Sequence, residues 1–481
     1  LLLVGLVIAL GISTIRIARE QQRTTAALGT AEERHKLARS AVDEMYTQVA
    51  EEWLTRQAGL TLLQRQFLEK ALAFYQQFAD ERGAGREVRH EAARAEQRVA
   101  EIRRKLGKHV EAEAAYRQAL ERFEALAREA PDRLEYRQGL ARTHIGLGSL
   151  FSLTGRLPEA EREYGHALEL RQVLAKQAPG VTEFQVDLAQ SHALIGKLLS
   201  ATARIDEAEE AHRRAVVLLE ALTSRYDNPE LQSELASSQT ALALLLENND
   251  EAEATLRRTL ATLETLVEKS PDVAAYREEL AGGLHDLGFL LGNHGRAADA
   301  EASYRRALTL YEALASDSPL VPGRQEDLAM AFNSLGAALL KAGQHEESEQ
   351  LQRRAIEISE RLAASHPDVP DYRSGVAASL HSLAIVLDGR REHREARALL
   401  ERALAHERAA LEINPQHPQY RLFLRNHLWK LADVLVALGD HAAASRAAWE
   451  LGRGDFPESE TDRGLLAITS AKLLVRCADL A

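Results

Sequence analysis

Apolar positions along this chain follow a helical period almost throughout, and the pattern repeats. Residues 299–315, DAEASYRRALTLYEALA, return upstream as VEAEAAYRQALERFEALA at 110–127 and as PEAEREYGHALELRQVLA at 158–175. With Tyr304 as an anchor, the register runs Leu68, Tyr116, Tyr164, His212, Leu256, Tyr304, Gln352, Leu400, Ala448. Every step is 48 residues except His212 to Leu256, which is 44. Most of that shortfall falls where GKLLSATARIDEAEEA becomes ALLLENNDEAEA. Three residues after each anchor but the last stands a small residue or near equivalent: Ala71, Ala119, Ala167, Ala215, Thr259, Ala307, Ala355, Ala403. A second landmark keeps step inside apolar segments such as THIGLGSLFSLTG: Gly148, Gly196, Ala243, Gly288, Gly336, Ala384, Ala432.

This periodicity predicts two helices per unit. The first is expected to open at a Pro-Asp cap such as Pro131–Asp132, Pro271–Asp272 or Pro367–Asp368, the aspartate accepting first-turn N–H groups. It is expected to end at a glycine break such as Gly155–Arg156, Gly295–Arg296 or Gly343–Gln344. The second carries the recurring phrase, with Ala302, Leu308, Leu310, Tyr311 and Leu314 as its apolar face. Small landmark residues should let the two helices approach closely, with Tyr116, Tyr164 and Tyr304 buried against them. One pair cannot bury its face alone, so neighbours must stack.

The residues that carry the register also carry a resemblance. Leu147–Gly148, Phe151, Ala160, Tyr164 and Ala167 match the tetratricopeptide pattern, as do Leu287–Gly288, Leu291, Ala300, Tyr304 and Ala307. The large aromatic expected four before the glycine is His144 here. A unit of 48 exceeds the usual 34 by about 14 residues, or about two helical turns for each helix. The fold expected is an all-α, right-handed solenoid of long tetratricopeptide-like helix pairs over residues 61–452, closed by a capping helix at 453–481.

Residues 1–15, LLLVGLVIALGISTI, carry no charge and are followed by Arg16, Arg19 and Arg23. A membrane helix needs about 20 apolar residues. The run therefore reads as the C-terminal part of a transmembrane helix whose start lies upstream. A signal-peptide core is the competing reading, but the basic residues lie on the wrong side for it. A helical stalk over 16–60 would join this segment to the array. The stretches at 31–54, 62–79, 420–448 and 471–481 resemble the non-catalytic half of large bacterial receptor-like serine/threonine kinases. That resemblance implies a cytoplasmic kinase upstream, one inner-membrane helix and an extracytoplasmic array. The three arginines favour the opposite topology. A membrane-tethered tetratricopeptide scaffold without a kinase is the alternative.

Composition narrows the function. A net charge of −12 argues against nucleic acid. The single cysteine, Cys477, can form no intramolecular disulfide and no zinc site by itself. Kinase, P-loop, HExxH and GxSxG signatures are missing; His393–Arg394–Glu395 and Asp455–Phe456–Pro457 are coincidental near misses. The 17 histidines are scattered, and His144 and His192, which recur in register, read as packing residues instead of metal ligands. No cofactor, metal or small-molecule substrate is expected, and no catalysis within these residues.

A protein or peptide partner is expected on the concave face, which first helices line in tetratricopeptide arrays. The inward row comprises Ile145, Ala193, Thr240, His285, Asn333, His381 and Trp429. One turn on lie Ser149, Lys197, Leu244, Phe289, Ala337, Ile385 and Asp433. From these rows His285, Phe289, Asn333, Ala337, His381, Lys197 and Trp429 are the candidate partner-binding residues. The competing reading is that long helices pack these side chains against each other.

Overall fold

The computed structural model describes residues 62–79, 85–319, 321–367, 369–415 and 417–453. The expected membrane segment, stalk and C-terminal capping helix lie outside the described residues. Among the described residues no helix is long and apolar enough to cross a membrane. The chain divides into two compact units, residues 1–56 with 62–71, and residues 57–61 with 72–481. A helix α1 (Leu62–Ala79) belongs partly to each, and the repeat array lies in the second.

Sixteen further helices form eight antiparallel pairs. They are α2 (Arg86–Lys105) with α3 (His109–Glu129), α4 (Leu134–Leu153) with α5 (Leu157–Gln177), and α6 (Thr182–Ala201) with α7 (Ile205–Thr223). Then come α8 (Pro229–Ala243) with α9 (Asn249–Lys269), and α10 (Ala274–Asn293) with α11 (Ala297–Asp317). The last are α12 (Pro322–Lys341) with α13 (His345–Ser365), α14 (Pro370–Gly389) with α15 (His393–Ile413), and α16 (Pro418–Ala437) with α17 (His441–Arg453). No strand occurs among the described residues. Each helix packs on its partner, and each second helix packs on the next first helix. First helices also touch across pairs: α2 on α4, α8 on α10, α12 on α14, α14 on α16.

Typical first helices have 20 residues and second helices 21, the lengthening that the 48-residue period requires. The short step has a structural address. α8 stops after 15 residues, at its landmark Ala243, whereas α6 runs five residues past Gly196.

Glycine terminates most first helices. Gly155 has φ 75°, and the Arg156 N–H donates to the Phe151 carbonyl at 2.8 Å while the Gly155 N–H donates to that of Ser152 at 3.1 Å. This paired arrangement satisfies carbonyls that the helix end leaves over. Gly295 and Gly343 repeat it, as expected; Gly107 and Gly439 do also, and Ala203 and Arg391 adopt the same left-handed conformation with a side chain. The Pro-Asp expectation is corrected. Pro131–Asp132 and Pro271–Asp272 form exposed turns before the helix, and the N-caps are Arg133 and Val273, with no side-chain cap. Pro367 stands in the corresponding turn, and Asp368 lies outside the described residues. Side-chain caps occur at α17, where Asp440 accepts from the Ala443 N–H at 3.1 Å, and at both helices of the short unit. Asn228 accepts from the Leu231 N–H at 2.9 Å, and Asn248 from those of Asp250 and Glu251 at 3.1 and 3.2 Å.

The anchor–landmark contact holds each pair together. A Cβ on Gly148 would lie 2.7 Å from the Tyr164 ring, one on Gly196 2.6 Å from His212, and one on Gly288 2.9 Å from Tyr304. Tyr164 and Tyr304 are buried as expected. Tyr116 is buried too, but it reaches the next unit, where a Cβ on Gly146 would meet its ring at 2.4 Å. The second-helix face is also redrawn. On α11 it consists of Ala300, Ser303, Tyr304, Ala307, Tyr311, Leu314 and Ala315, whereas Ala302 is exposed and Leu308 and Leu310 are half-buried. First helices bury more of their circumference: α14 buries Tyr372, Val376, Ala377, Leu380, Leu383, Ala384, Val386 and Leu387. Each sits between two second helices, which is why these segments read as apolar with little polar face.

Candidate functional site

The two first-helix rows separate in their surroundings. His285, Asn333 and His381 are half-buried and engaged with the next first helix. His285 Nε2 meets Ser334 Oγ at 2.8 Å, Asn333 Nδ2 donates to Ser379 Oγ at 2.9 Å, and His381 Nδ1 meets His427 Nδ1 at 3.0 Å. Ile145, Ala193 and Thr240 are half-buried as well. Trp429 differs, being 52% exposed on α16. These contacts form a ladder across successive first helices, which Gln190–Glu234 (2.9 Å), Ser233–Glu279 (2.5 Å), Arg324–Glu278 (3.1 Å) and Lys430–Asp388 (2.6 Å) extend.

One turn on, the row opens to solvent. Lys197 and Ala337 are exposed, Leu244 is 43% exposed and Phe289 54% exposed. Ser149, Ile385 and Asp433 are half-buried, and Ser149 accepts from the Tyr164 hydroxyl at 3.2 Å. Leu244, the residue that caps the C-terminus of α8, and Phe289 on α10 therefore offer large apolar groups at the same register in neighbouring units.

Second helices are linked differently. Arg306 pairs with Glu264 at 2.5 Å, Arg354 with Glu312 at 3.2 Å and Arg402 with Glu360 at 2.5 Å, all 42 residues apart. Both partners face water, so each pair adds little stability and fixes register. The arginine stands two residues after the anchor in each case.

In the α4–α5 pair that position is His166, and two further departures from the repeat join it. Anchor-minus-one is Glu163, where other units have Ala115, Ala211, Thr255, Ser303, Leu351 and Leu399. Landmark-minus-four is His144, where the later units from α10 onward have Leu284, Phe332, Leu380 and Leu428. The fold brings the three together. His144 Nδ1 lies 2.7 Å from Glu163 Oε2, and the His144 and His166 rings meet edge-on with centroids 5.1 Å apart. One ligand atom from each of the three lies within 4.8 Å of the others. His144 is almost buried, Glu163 half-buried and His166 exposed. In sequence each histidine reads separately as a packing residue; the signal of a group is three departures in one unit. In the next pair the equivalents are His192, Ala211 and Arg214. There a hollow of about 450 Å³ is lined in part by Leu188, His192, Arg214 and Val217, and burial with the Arg214 charge holds His192 below the usual histidine range.

A buried polar group joins α14, α15 and α16. Glu407 is fully buried and accepts from Ser374 Oγ at 3.0 Å. His427 Nε2 is 3.4 Å away. Burial pushes Glu407 up to about 8 and His427 down to about 4. His381, half-buried and beside His427 and Lys430, falls to about 3. All three are thus neutral near pH 6 to 7.

Residues 280–319 and 327–409 match family models described as tetratricopeptide repeat. No curated protein matches the chain. Among solved structures, BtubC from P. vanneervenii is 20% identical, with 56% of this chain and 92% of that one covered and a TM-score of 0.40. A signal-transduction ATPase with a tetratricopeptide repeat sensor, from Pyrococcus horikoshii, is 10% identical over 82% and 55%, with a TM-score of 0.46. A Rap protein complexed with competence and sporulation factor is 13% identical over 77% and 99%, with a TM-score of 0.40.

Proposed function

We propose that the array is a non-catalytic docking module that takes a protein or peptide partner on its first-helix face, centred on Leu244 and Phe289. The observation that carries this reading is the exposure of these two side chains at one register in adjacent units, Leu244 at the C-terminal cap of α8 and Phe289 on α10. Large apolar groups left in water on a rigid scaffold are what binding hot spots are built from. Lys197 and Ala337 would flank the contact, and Trp429 would extend it toward the C-terminal end. His285, Asn333 and His381 hold the first helices in register beneath it, a positioning role.

The finer reading is that residues 1–15 anchor the chain in a bacterial inner membrane. The array then serves as the extracytoplasmic sensor of a serine/threonine kinase whose catalytic domain precedes Leu1. The resemblance of 31–54, 62–79, 420–448 and 471–481 to such kinases supports it. Partner docking would be relayed through the stalk at 16–60.

The test is a pull-down with the chain as bait, repeated with Leu244→Ala plus Phe289→Ala. Both side chains are exposed, so the change should leave helicity intact. Partners retained by the parent should be lost or weakened at least tenfold. Undiminished capture by a folded double variant refutes the first-helix face.

A further inference from the structure

We propose that His144, Glu163 and His166 form a binding site for a divalent transition metal of the zinc class. The docking face is not involved, and the site rests on a separate observation. Within a repeat array the other units show what each position does when it serves only the fold. At anchor-plus-two, Arg214, Arg258, Arg306, Arg354 and Arg402 recur, and three of these bridge to the preceding second helix. At anchor-minus-one the residue is small or apolar throughout. Only the α4–α5 pair puts a carboxylate and an imidazole at these two places while carrying a histidine at landmark-minus-four. Helix packing does not require any of the three, yet all three converge.

The chemistry suits such an ion. Two imidazoles and one carboxylate are a donor set that zinc accepts, with bonds of about 2.0–2.2 Å and a fourth position left for water. Glu163 and His166 stand three apart on α5 and so share a face; His144 comes across from α4. The donors need to close from 4.8 Å to about 3.5 Å, the separation that tetrahedral bonds of that length impose. His166 is exposed and can rotate to do so, while His144 and Glu163 are already in contact at 2.7 Å. Binding uses the neutral His144 tautomer whose proton sits on the ring nitrogen turned away from the ion, while the Glu163 carboxylate binds ionised. The fourth position faces water on the His166 side. No thiolate is present, so nitrogen and oxygen donors favour zinc, cobalt or nickel over soft ions.

The next pair supplies an internal control. His192 occupies the place of His144, but Arg214 replaces His166 and Ala211 replaces Glu163, so a cation would be repelled there.

The experiment uses the untagged full chain, stripped with chelator and dialysed against zinc chloride. We expect one zinc bound per chain. His166→Arg, which restores the residue of the other units, and Glu163→Gln should each weaken binding at least tenfold, the smaller end of what loss of a supporting partner already costs. His192→Ala should leave it unchanged. Cobalt in place of zinc should give visible d–d bands without thiolate charge-transfer bands. Helicity measured in parallel separates loss of ligand from loss of fold. The proposal is overturned if the stripped chain takes up no zinc at micromolar concentration, or if folded His166→Arg binds it as tightly as the parent.

Discussion

At the scale of single residues, the landmark glycines differ in what surrounds them, and so should their substitutions. A Cβ on Gly288 would press into the Tyr304 ring at 2.9 Å. The ring is flanked by buried neighbours and cannot swing away, so Gly288→Leu should overpack the contact and cost about 1–3 kcal/mol. Gly336 faces the flexible end of Gln352 and should tolerate Ala better. Gly165 and Gly375 sit inside α5 and α14 with nothing within 4 Å of an added Cβ. There Ala relieves the backbone entropy cost of glycine in a helix, and each change should stabilise by about 0.5–1 kcal/mol. Thermal or urea unfolding checks the opposite signs; destabilisation by Gly165→Ala would contradict the packing described.

Glu407 gives a pH dependence at the same scale. Its carboxyl is held up to about 8 in the folded chain, against about 4.3 when unfolded. Stability from this group is complete below about pH 4 and is lost as pH rises through 8, because the unfolded chain gives up the proton first. His427 and His381 act in the opposite sense: their folded values are lowered, so their contribution is present above about 6.5 and lost as pH falls toward 4 and 3. Glu407→Gln removes the alkaline loss. Its melting temperature relative to the parent should climb between pH 6 and 8.5, whatever constant offset the substitution adds. A difference independent of pH would mean that Glu407 is ionised in the fold.

At the scale of helices, chain chemistry explains both what the sequence made legible and what it did not. The pair boundaries were readable because glycine at a left-handed position, as at Gly155 and Gly295, has a local cause. Helix lengths were readable from the anchor-to-landmark spacing, and the short unit from the single step of 44. The Pro-Asp turns misled, because aspartate one residue ahead of the N-cap looks in sequence like the cap itself. Burial on α11 misled at Ala302, since an alanine fits a solvent face as well as a core. Where the short unit has Asn248 at the N-cap position held elsewhere by Arg156, Arg296 or Gln344, the helix start depends on a side chain. Asn248→Ala should cost about 1 kcal/mol, within the 0.5–2 range for loss of a cap. Hydrogen exchange should then speed up first at the Asp250 and Glu251 amides; unchanged protection there would argue that water replaces the cap freely.

At the scale of the molecule, two kinds of ladder run along the array. Hydrogen bonds between half-buried groups tie first helices together, and exposed Arg–Glu pairs tie second helices together. The first-helix rows were read from the repeat, but their division into a positioning row and an exposed row was not. That division depends on partners 42 to 49 residues away, which a local pattern does not specify. His144, Glu163 and His166 were missed for the same reason, their meeting being a property of two helices instead of one. The second-helix face carries the charge pairs together with exposed Val110, Val217 and Trp449, whereas Leu244 and Phe289 stand at one register in successive units, and that row is the surface proposed for a partner. The most direct measurement of that claim places a photo-crosslinking amino acid at Phe289 and, in a second protein, at Ala313, which is exposed on second helix α11. Crosslinks to a partner in cells from Phe289 and none from Ala313 are the result predicted; crosslinks from Ala313 with none from Phe289 would contradict it.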